Sequence, residues 1–452
     1  MSIAETACHA SPERLGLRVE QIPFAEIPQQ TKLFLDYLRD SVSLRRFYPE
    51  AIKHHYDLLE RRDRVLANHT VDRARLCAAL QRMNRSWGAG ERTLEHIDRL
   101  QKSDSIAVVT GQQAGLFGGP LYTIYKALSA VKLAECLTQR GVEAVPVFWI
   151  ASEDHDFEEV AAVEFINRDC ALGRIALAAD AHPDGLPVGL VKLDGTIRSI
   201  VEDLLRSLPQ TEFSDELRSL IEDAYAPGHG FADAFARLMA RLTGSRGLVL
   251  LDPMDGELKE LAAPLYAAAA RRAPEIAKAI VARSSELEAR GYHAQVAPSE
   301  NSFPLFLHDE HGRQALTRNS AGLYQTKAAK TNDGHTAEEL AAWAQREPQR
   351  FSPNVTLRAT VQDYLLPTIA YYGGAAEIAY FAQTSEVYRI LERPVTPILP
   401  RQSLSFVEKH TSRSLERYGV RLQDFFAGLD HVMARVVTQY LSKETAAAFA
   451  HT

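Results

Sequence analysis

The sequence predicts an α/β protein built on an open parallel sheet that two long insertions interrupt. Three observations point there. Two short apolar runs, 106–110 and 145–151, enclose a segment of helical periodicity. A glycine-rich turn, 111–120, leads from the first run into that segment. Polar residues suited to chemistry follow the carboxyl ends of the runs, where open α/β sheets bind ligands.

Residues 1–100 read as helical. Leu76, Leu80 and Met83 recur at spacings of four and three, and Leu94, Ile97 and Leu100 at three, as on one helix face. Thr70 is the expected N-cap and Gly88-Ala89-Gly90 the stop. The β-branched run at 106–110 suits a strand buried on both faces. In the helix expected over 120–140, Leu121, Ile124, Leu128, Val131, Ala134 and Leu137 step by three and four. Pro120 fits its first position and Gly141 its end. With the strand at 145–151 these pieces form a βαβ unit, which implies a right-handed crossover between parallel strands.

Downstream, 247–253 reads as a strand, followed by a helix from about Glu257. A third block opens at Asn354 with a helix-like segment at 360–366 and a turn at Gly373-Gly374. A helix over 375–391 and a strand at 395–399 complete it. The core is thus expected in three pieces, 101–164, 246–264 and 351–405, with insertions at 165–245 and 265–350. Those insertions carry helices at 231–242 and 276–290, short polar strand candidates and an alanine-rich helix near 262–282.

Of 452 residues, 46% are hydrophobic and 24% charged, as in an ordinary globular protein. The formal net charge of −7 lacks the basic footprint of sequence-independent nucleic-acid binding. No signal peptide is visible at the start, and the longest apolar stretch, near 142–151, is half of a membrane span. Cys8, Cys77, Cys136 and Cys170 form no CxxC pair and read as buried, reduced thiols. These features predict a soluble, cytoplasmic protein with neither a nucleic-acid nor a membrane partner.

Three constellations are candidates for chemistry. The glycine-rich turn fits neither GxGxxG nor a P-loop, but Gly118 and Gly119 would let backbone approach an anion at a helix start. Glu153, Asp154, His155 and Asp156 follow the second strand. A histidine beside carboxylates can take a proton from an amine; the same carboxylates suit Mg²⁺ better than zinc, because no second His or Cys stands at ligand spacing. The third set is Asn354, Arg358, Gln362, Glu377, Tyr380, Gln383 and Arg401, with Arg401 at a strand end where it can clamp a carboxylate or phosphate. Lys126 either neutralises a phosphate or is simply solvated.

The stretches VVTGQQAGLFGGPLYTIYKALSAVKLA (108–134) and PVFWIASEDHDFEEV (146–160) resemble the bacillithiol-biosynthesis cysteine-adding enzymes, the BshC family. PNVTLRATVQDYLLPTIAYYGGAAEIAYFAQ (353–383) and PILPRQSLSFVE (397–408) resemble it in the same order. The similarity spans about residues 15–410. It implies a Rossmann-like core with two connecting insertions, a C-terminal helical coiled-coil arm starting within 406–452, and a homodimer. It implies a cytoplasmic ligase joining cysteine to malyl-glucosamine. Thr110, Gln112, Gln113 and Tyr122 fall in the family's glycine-rich segment, 153–156 in its acidic-histidine segment and the third set in its C-terminal core segments.

Joining an amine to a carboxylate in water needs an activated acyl group, so ATP and Mg²⁺ are expected. His155, oriented by Asp154 or Asp156, is the expected base for the cysteine amine. Phosphate or malyl carboxylate is expected against the 118–122 helix start, Lys126 and Arg401. A metal-dependent amide hydrolase and a non-catalytic nucleotide- or thiol-binding protein are the alternatives. Family members continue well past the PILPR strand, whereas 51 residues follow Arg401 here, so the arm and the dimer it would build are expected to be incomplete.

Overall fold

A computed structural model describes residues 17–178, 185–297, 299–327 and 334–440. Cys8 and the two chain ends, 1–16 and 441–452, lie outside the described residues. The described residues form two compact units, one of 36–402 and one of 17–35 with 403–440.

Helices α1 (Lys32–Asp40), α2 (Arg62–Asn68), α3 (Arg73–Ser86) and α4 (Glu91–Leu100) precede strand β1 (Ile106–Gln112). Helix α5 (Tyr122–Thr138) carries the chain to β2 (Ala144–Ile150). Next come α6 (Phe157–Val160), the hairpin β3 (Ala162–Ile166) and β4 (Leu172–Ala176), then α7 (Ile197–Ser207), α8 (Ser214–Ala224) and α9 (Phe231–Thr243). After β5 (Val249–Leu251) follow α10 (Gly256–Arg271), α11 (Ala273–Ala289), β6 (Ser302–Asp309), β7 (Gly312–Arg318), β8 (Tyr324–Thr326), α12 (Ala337–Arg346) and β9 (Phe351–Pro353). The last core pieces are α13 (Val355–Leu365), β10 (Thr368–Gly373), α14 (Ala375–Ile390) and β11 (Ile398–Pro400). The second unit contains α15 (Lys409–Tyr418) and α16 (Leu429–Tyr440). Within it, Phe24 meets Phe34 edge to face at 5.2 Å and Arg435 pairs with Asp424 at 2.7 Å.

The predicted parallel sheet is present, in the order β11-β10-β1-β2-β5. Strand β1 is its centre, and Ile106, Ala107, Val108 and Val109 are almost fully buried, as expected of a strand covered on both faces. Ala130, Leu133, Ala134 and Leu137 of α5 pack with Ile106, Val108 and Ile369 in one core cluster. From β1 the chain runs outward to β2 and β5, then crosses to β10 and β11 on the other side. The order therefore reverses between β1 and β10, and such a switch point opens a crevice beyond the carboxyl ends. A second, antiparallel sheet, β8-β7-β6-β9, stands in the second insertion. Its edge strand β9 runs straight into α13, so the insertion's sheet is tied directly to the core.

Several expectations shift. Strand β10 is not foreseen by the sequence reading, which passes from a helix at 360–366 to the Gly373-Gly374 turn. Helix α13 starts earlier, at an Asn354 cap whose Oδ1 accepts from Thr356 N (3.0 Å) and Leu357 N (3.1 Å), and so leaves room for a strand. Asp72, not Thr70, caps α3, because its carboxylate reaches Ala74 N (2.9 Å) and Arg75 N (3.1 Å). The alanine-rich run is two helices, broken at Arg272. Pro120 precedes α5 and accepts from Thr123 N. Cys77 and Cys136 are buried, with burial pushing the Cys77 thiol up to about 12. Cys170 is exposed, contrary to expectation, on a turn where its φ is +57°. Among the described residues no helix is long and apolar enough to cross a membrane.

Candidate active site

Two adjacent glutamines at the end of β1 mark the centre of the site. Gln112 faces the β10 side and Gln113 the β2 side, so the central strand joins two polar networks. Between them and α5 runs the glycine-rich loop, whose composition follows from its own geometry. A Cβ on Gly115 would stand 2.6 Å from Gly119 Cα, and Gly118 and Gly119 have φ of +94° and +69°. Tyr225 closes the loop, accepting from Gly118 N and donating to Gly115 O at 3.3 Å each. Thr123 N and Ile124 N already bond Pro120 O and Leu121 O. Gly118 and Gly119 thus shape a tight turn at the start of α5.

The first network lies at the switch point. Lys126 is 1% exposed, not solvated; its Nζ donates to Glu377 Oε2 at 2.6 Å and to Gln112 Oε1 at 3.1 Å. Glu377 also accepts from Tyr371 OH (2.6 Å) and Gly374 N (2.7 Å). Burial alone would raise the Glu377 carboxyl, but the Lys126 ammonium, Tyr371 and Gly374 together hold it below the usual carboxylate range. Arg358 extends the network, donating to Tyr380 OH (3.1 Å), Gln362 Oε1 (3.2 Å) and, more weakly, Tyr371 OH (3.4 Å). Arg401 lies over the Tyr122 ring at 4.8 Å, and its Nε is 3.5 Å from where a Gly374 Cβ would stand. A half-buried guanidinium and the start of α14 thus meet beside the crevice, an arrangement suited to a carboxylate or phosphate.

The second network follows β2. Glu153 is buried and pairs with Lys259, which also donates to Phe351 O at 2.6 Å. Its neighbour Ser152 donates to Asp252, whose carboxyl burial raises to about 6. Asp154 accepts from Gln113 Nε2 (2.8 Å) and His155 N (2.8 Å). Asp156 accepts from Glu159 N at 3.3 Å, capping the short α6, and does not orient His155. The His155 side chain is 41% exposed; its Nδ1 lies 3.7 Å from Asp154 Oδ1 but 3.2 Å from Arg313 NH1. Glu153 and Asp156 therefore turn to separate partners, while Asp154 and His155 share Arg313, whose NH1 lies 3.8 Å from Asp154 Oδ1. Among the described residues no group of three or more His, Cys, Asp or Glu side chains converges on a metal position.

The remaining expected site residues hold structure together. Thr110 is fully buried and donates to Tyr372 O (2.9 Å). Gln362 also bonds Asp363, and Gln383 ties α14 to Ser284 (2.7 Å) and Val296 O (2.9 Å). Asn354 is the α13 cap. The sequence reading missed Tyr371, Lys259, Ser352, His308 and Arg313. The bond from Arg313 to His155 crosses 158 positions of chain, and no local spacing announces such a pair.

Residues 17–402 match the family model described as "Bacillithiol biosynthesis BshC, N-terminal Rossmann-like domain". A protein of Koribacter versatilis (strain Ellin345) is 42% identical over 423 residues, 94% of this chain and 77% of that protein. Proteins of Salinibacter ruber (38%) and Solibacter usitatus (35%) each align with 92% of this chain and 75% of their own length. All three bear the name "Putative cysteine ligase BshC".

Proposed function

The chain belongs to the BshC family of bacillithiol biosynthesis, and on that footing we propose that it is a ligase that adds cysteine to malyl-glucosamine through a new amide bond. The observation that supports this reading is the polar rim across the switch point. Arg401 and the start of α14 would bind the malyl carboxylate or the group that activates it. Lys126, locked to Glu377, sets the local charge without touching solvent. On the β2 side, His155 is an exposed polar group beside the crevice, the place for the reacting carbonyl and amine.

Amide formation from a free acid is uphill, so the acyl carbon must first carry a better leaving group. ATP with Mg²⁺ is the proposed source, and the residues suited to its phosphates are Arg401 and the α14 start. The diverging carboxylates of 153–156 give no support to a metal-dependent amide hydrolase.

The deciding experiment incubates the purified chain with malyl-glucosamine, cysteine and ATP–Mg²⁺. Mass spectrometry follows the thiol product and chromatography follows ADP and AMP. Product formed together with nucleotide cleavage is the expected result. No product refutes the ligase reading, whereas product with intact ATP removes ATP as the activator.

A further inference from the structure

We infer that Arg313 is a positioning residue that fixes His155 as its Nε2–H tautomer, so that His155 meets the substrate as a hydrogen-bond donor to the acyl oxygen and not as a base for the cysteine amine. This inference rests on the ligase reading and names the role of one residue within it.

The argument begins with how firmly Arg313 is held. Its side chain is 8% exposed. Its guanidinium donates through Nε to Ser352 Oγ (3.0 Å) and through NH2 to Pro353 O (3.0 Å), and it lies 3.8 Å over the Phe306 ring. Ser352 is itself fully buried and bonded to His308 Nε2 at 2.7 Å. Burial and the nearby cations Lys259 and Arg313 hold His308 down at about 3, so its ring is neutral beside Ser352. At the backbone, Arg313 N donates to Gly185 O at 2.8 Å. Every anchor leaves NH1 aimed at His155 Nδ1, 3.2 Å away.

Arginine carries only donors and does not deprotonate in proteins. The Nδ1 atom facing it must therefore be the acceptor, which places the ring proton on Nε2. Asp154 cannot impose the opposite tautomer, because it stands 3.7 Å from Nδ1, beyond hydrogen-bond reach, and its oxygens already accept from Gln113 and from backbone N–H groups. A neutral histidine with its proton on the far nitrogen has no lone pair there to receive one. It is instead suited to an oxygen that gains negative charge. When the amine nitrogen bonds to the acyl carbon, the carbonyl pair moves to oxygen and that oxygen accepts from Nε2–H. The surplus amine proton leaves to water, and the activating group departs with its electron pair.

The test compares wild type with Arg313→Met, Arg313→Lys, His155→Gln and His155→Ala. Long-range ¹⁵N–¹H spectra of ¹⁵N-histidine protein, with His155→Gln identifying the signal, should show Nε2 protonated and Nδ1 bare. Arg313→Met should relax that ratio to the weaker Nε2–H bias of a free imidazole, and Arg313→Lys should partly restore it. In the thiol-forming assay, His155→Gln keeps an N–H at the ε position and should fall no more than about tenfold, whereas His155→Ala should fall about a hundredfold or more. A proton on Nδ1, or His155→Gln losing as much as His155→Ala, overturns the inference. Should Arg313→Met fail to fold, the wild-type spectrum and the two His155 variants still decide it. Absence of thiol product in the wild type would defeat the ligase reading instead, leaving the tautomer measurement to be read separately.

Discussion

Two buried carboxylates in the core respond to their surroundings in opposite directions. Asp252 is raised to about 6 mainly by burial, which its bonds from Ser152 and Met254 N only partly offset. A carboxyl whose folded value lies above its unfolded value supports stability below the unfolded value, near 3.9, and loses that support as pH rises through 6. Asp252→Asn keeps an oxygen acceptor at Oδ1 without the charge, so its stability relative to wild type should grow by about 2 kcal/mol between pH 4 and 7. Urea unfolding at several pH values reads this directly, and a pH-independent difference would contradict it. Glu377 is held below the usual range, so its contribution is present above about pH 4.3 and fades as pH falls further. Glu377→Gln leaves the buried Lys126 ammonium without its counter-charge and should cost about 3–5 kcal/mol in the same measurement. Adding Lys126→Met should recover much of that loss; a double variant as weak as Glu377→Gln alone would mean the pair is not coupled.

Elements carry the side chains to these positions, and here the sequence was informative only in part. The first βαβ unit was readable because strand, turn and helix each show a local pattern that agrees with its neighbours. Strand β10 was not, although it borders the switch point and supplies Tyr371. Its six residues, TIAYYG, lie three positions beyond α13 with no break residue other than Pro367. A short buried run of this kind cannot be told from a helix tail by periodicity. The site shows the same division. Residues 112, 113, 154, 155, 358, 377 and 401 stand at strand ends and helix starts, where topology makes polar residues converge. His308 and Arg313 come from a segment that reads as an insertion, Lys259 and Ser352 from core pieces whose local spacing does not mark them, and the Glu153–Lys259 pair spans 106 positions. The sequence marks Asn354 as a ligand-binding candidate, yet its geometry is that of a cap. Asn354→Ala should therefore cost about 1 kcal/mol while Asn354→Asp costs little, and thermal unfolding distinguishes them. Equal losses would show that the bond from Asn354 Nδ2 to Phe303 O (3.3 Å) matters more than the cap.

At the scale of the whole core, the two insertions meet each other beside the site, and one glycine controls how closely. Gly312, at the start of β7, has φ +91°, and a Cβ there would come within 2.6 Å of the Gly185 carbonyl carbon. Gly185 belongs to the first insertion, with φ +78°, and its oxygen receives Arg313 N. The contact therefore anchors the residue that reaches His155, while the five-stranded sheet lies behind it and takes no part. Gly312→Ala would both strain the turn and push the two backbones apart, displacing the Arg313 anchor. A shift of about 1 Å at a positioning group can lower turnover by about a hundredfold. The strained φ alone costs about 1–2 kcal/mol, and parting the two backbones adds to it, but both act at the insertion contact and not in the five-stranded sheet. Hydrogen exchange should accordingly rise at 185–190 and 309–318 and stay unchanged in β1 and β10, while thiol formation drops. Loss of protection throughout the sheet would instead mean that the insertion contact supports the whole core, and full activity with faster local exchange would detach Arg313 from catalysis.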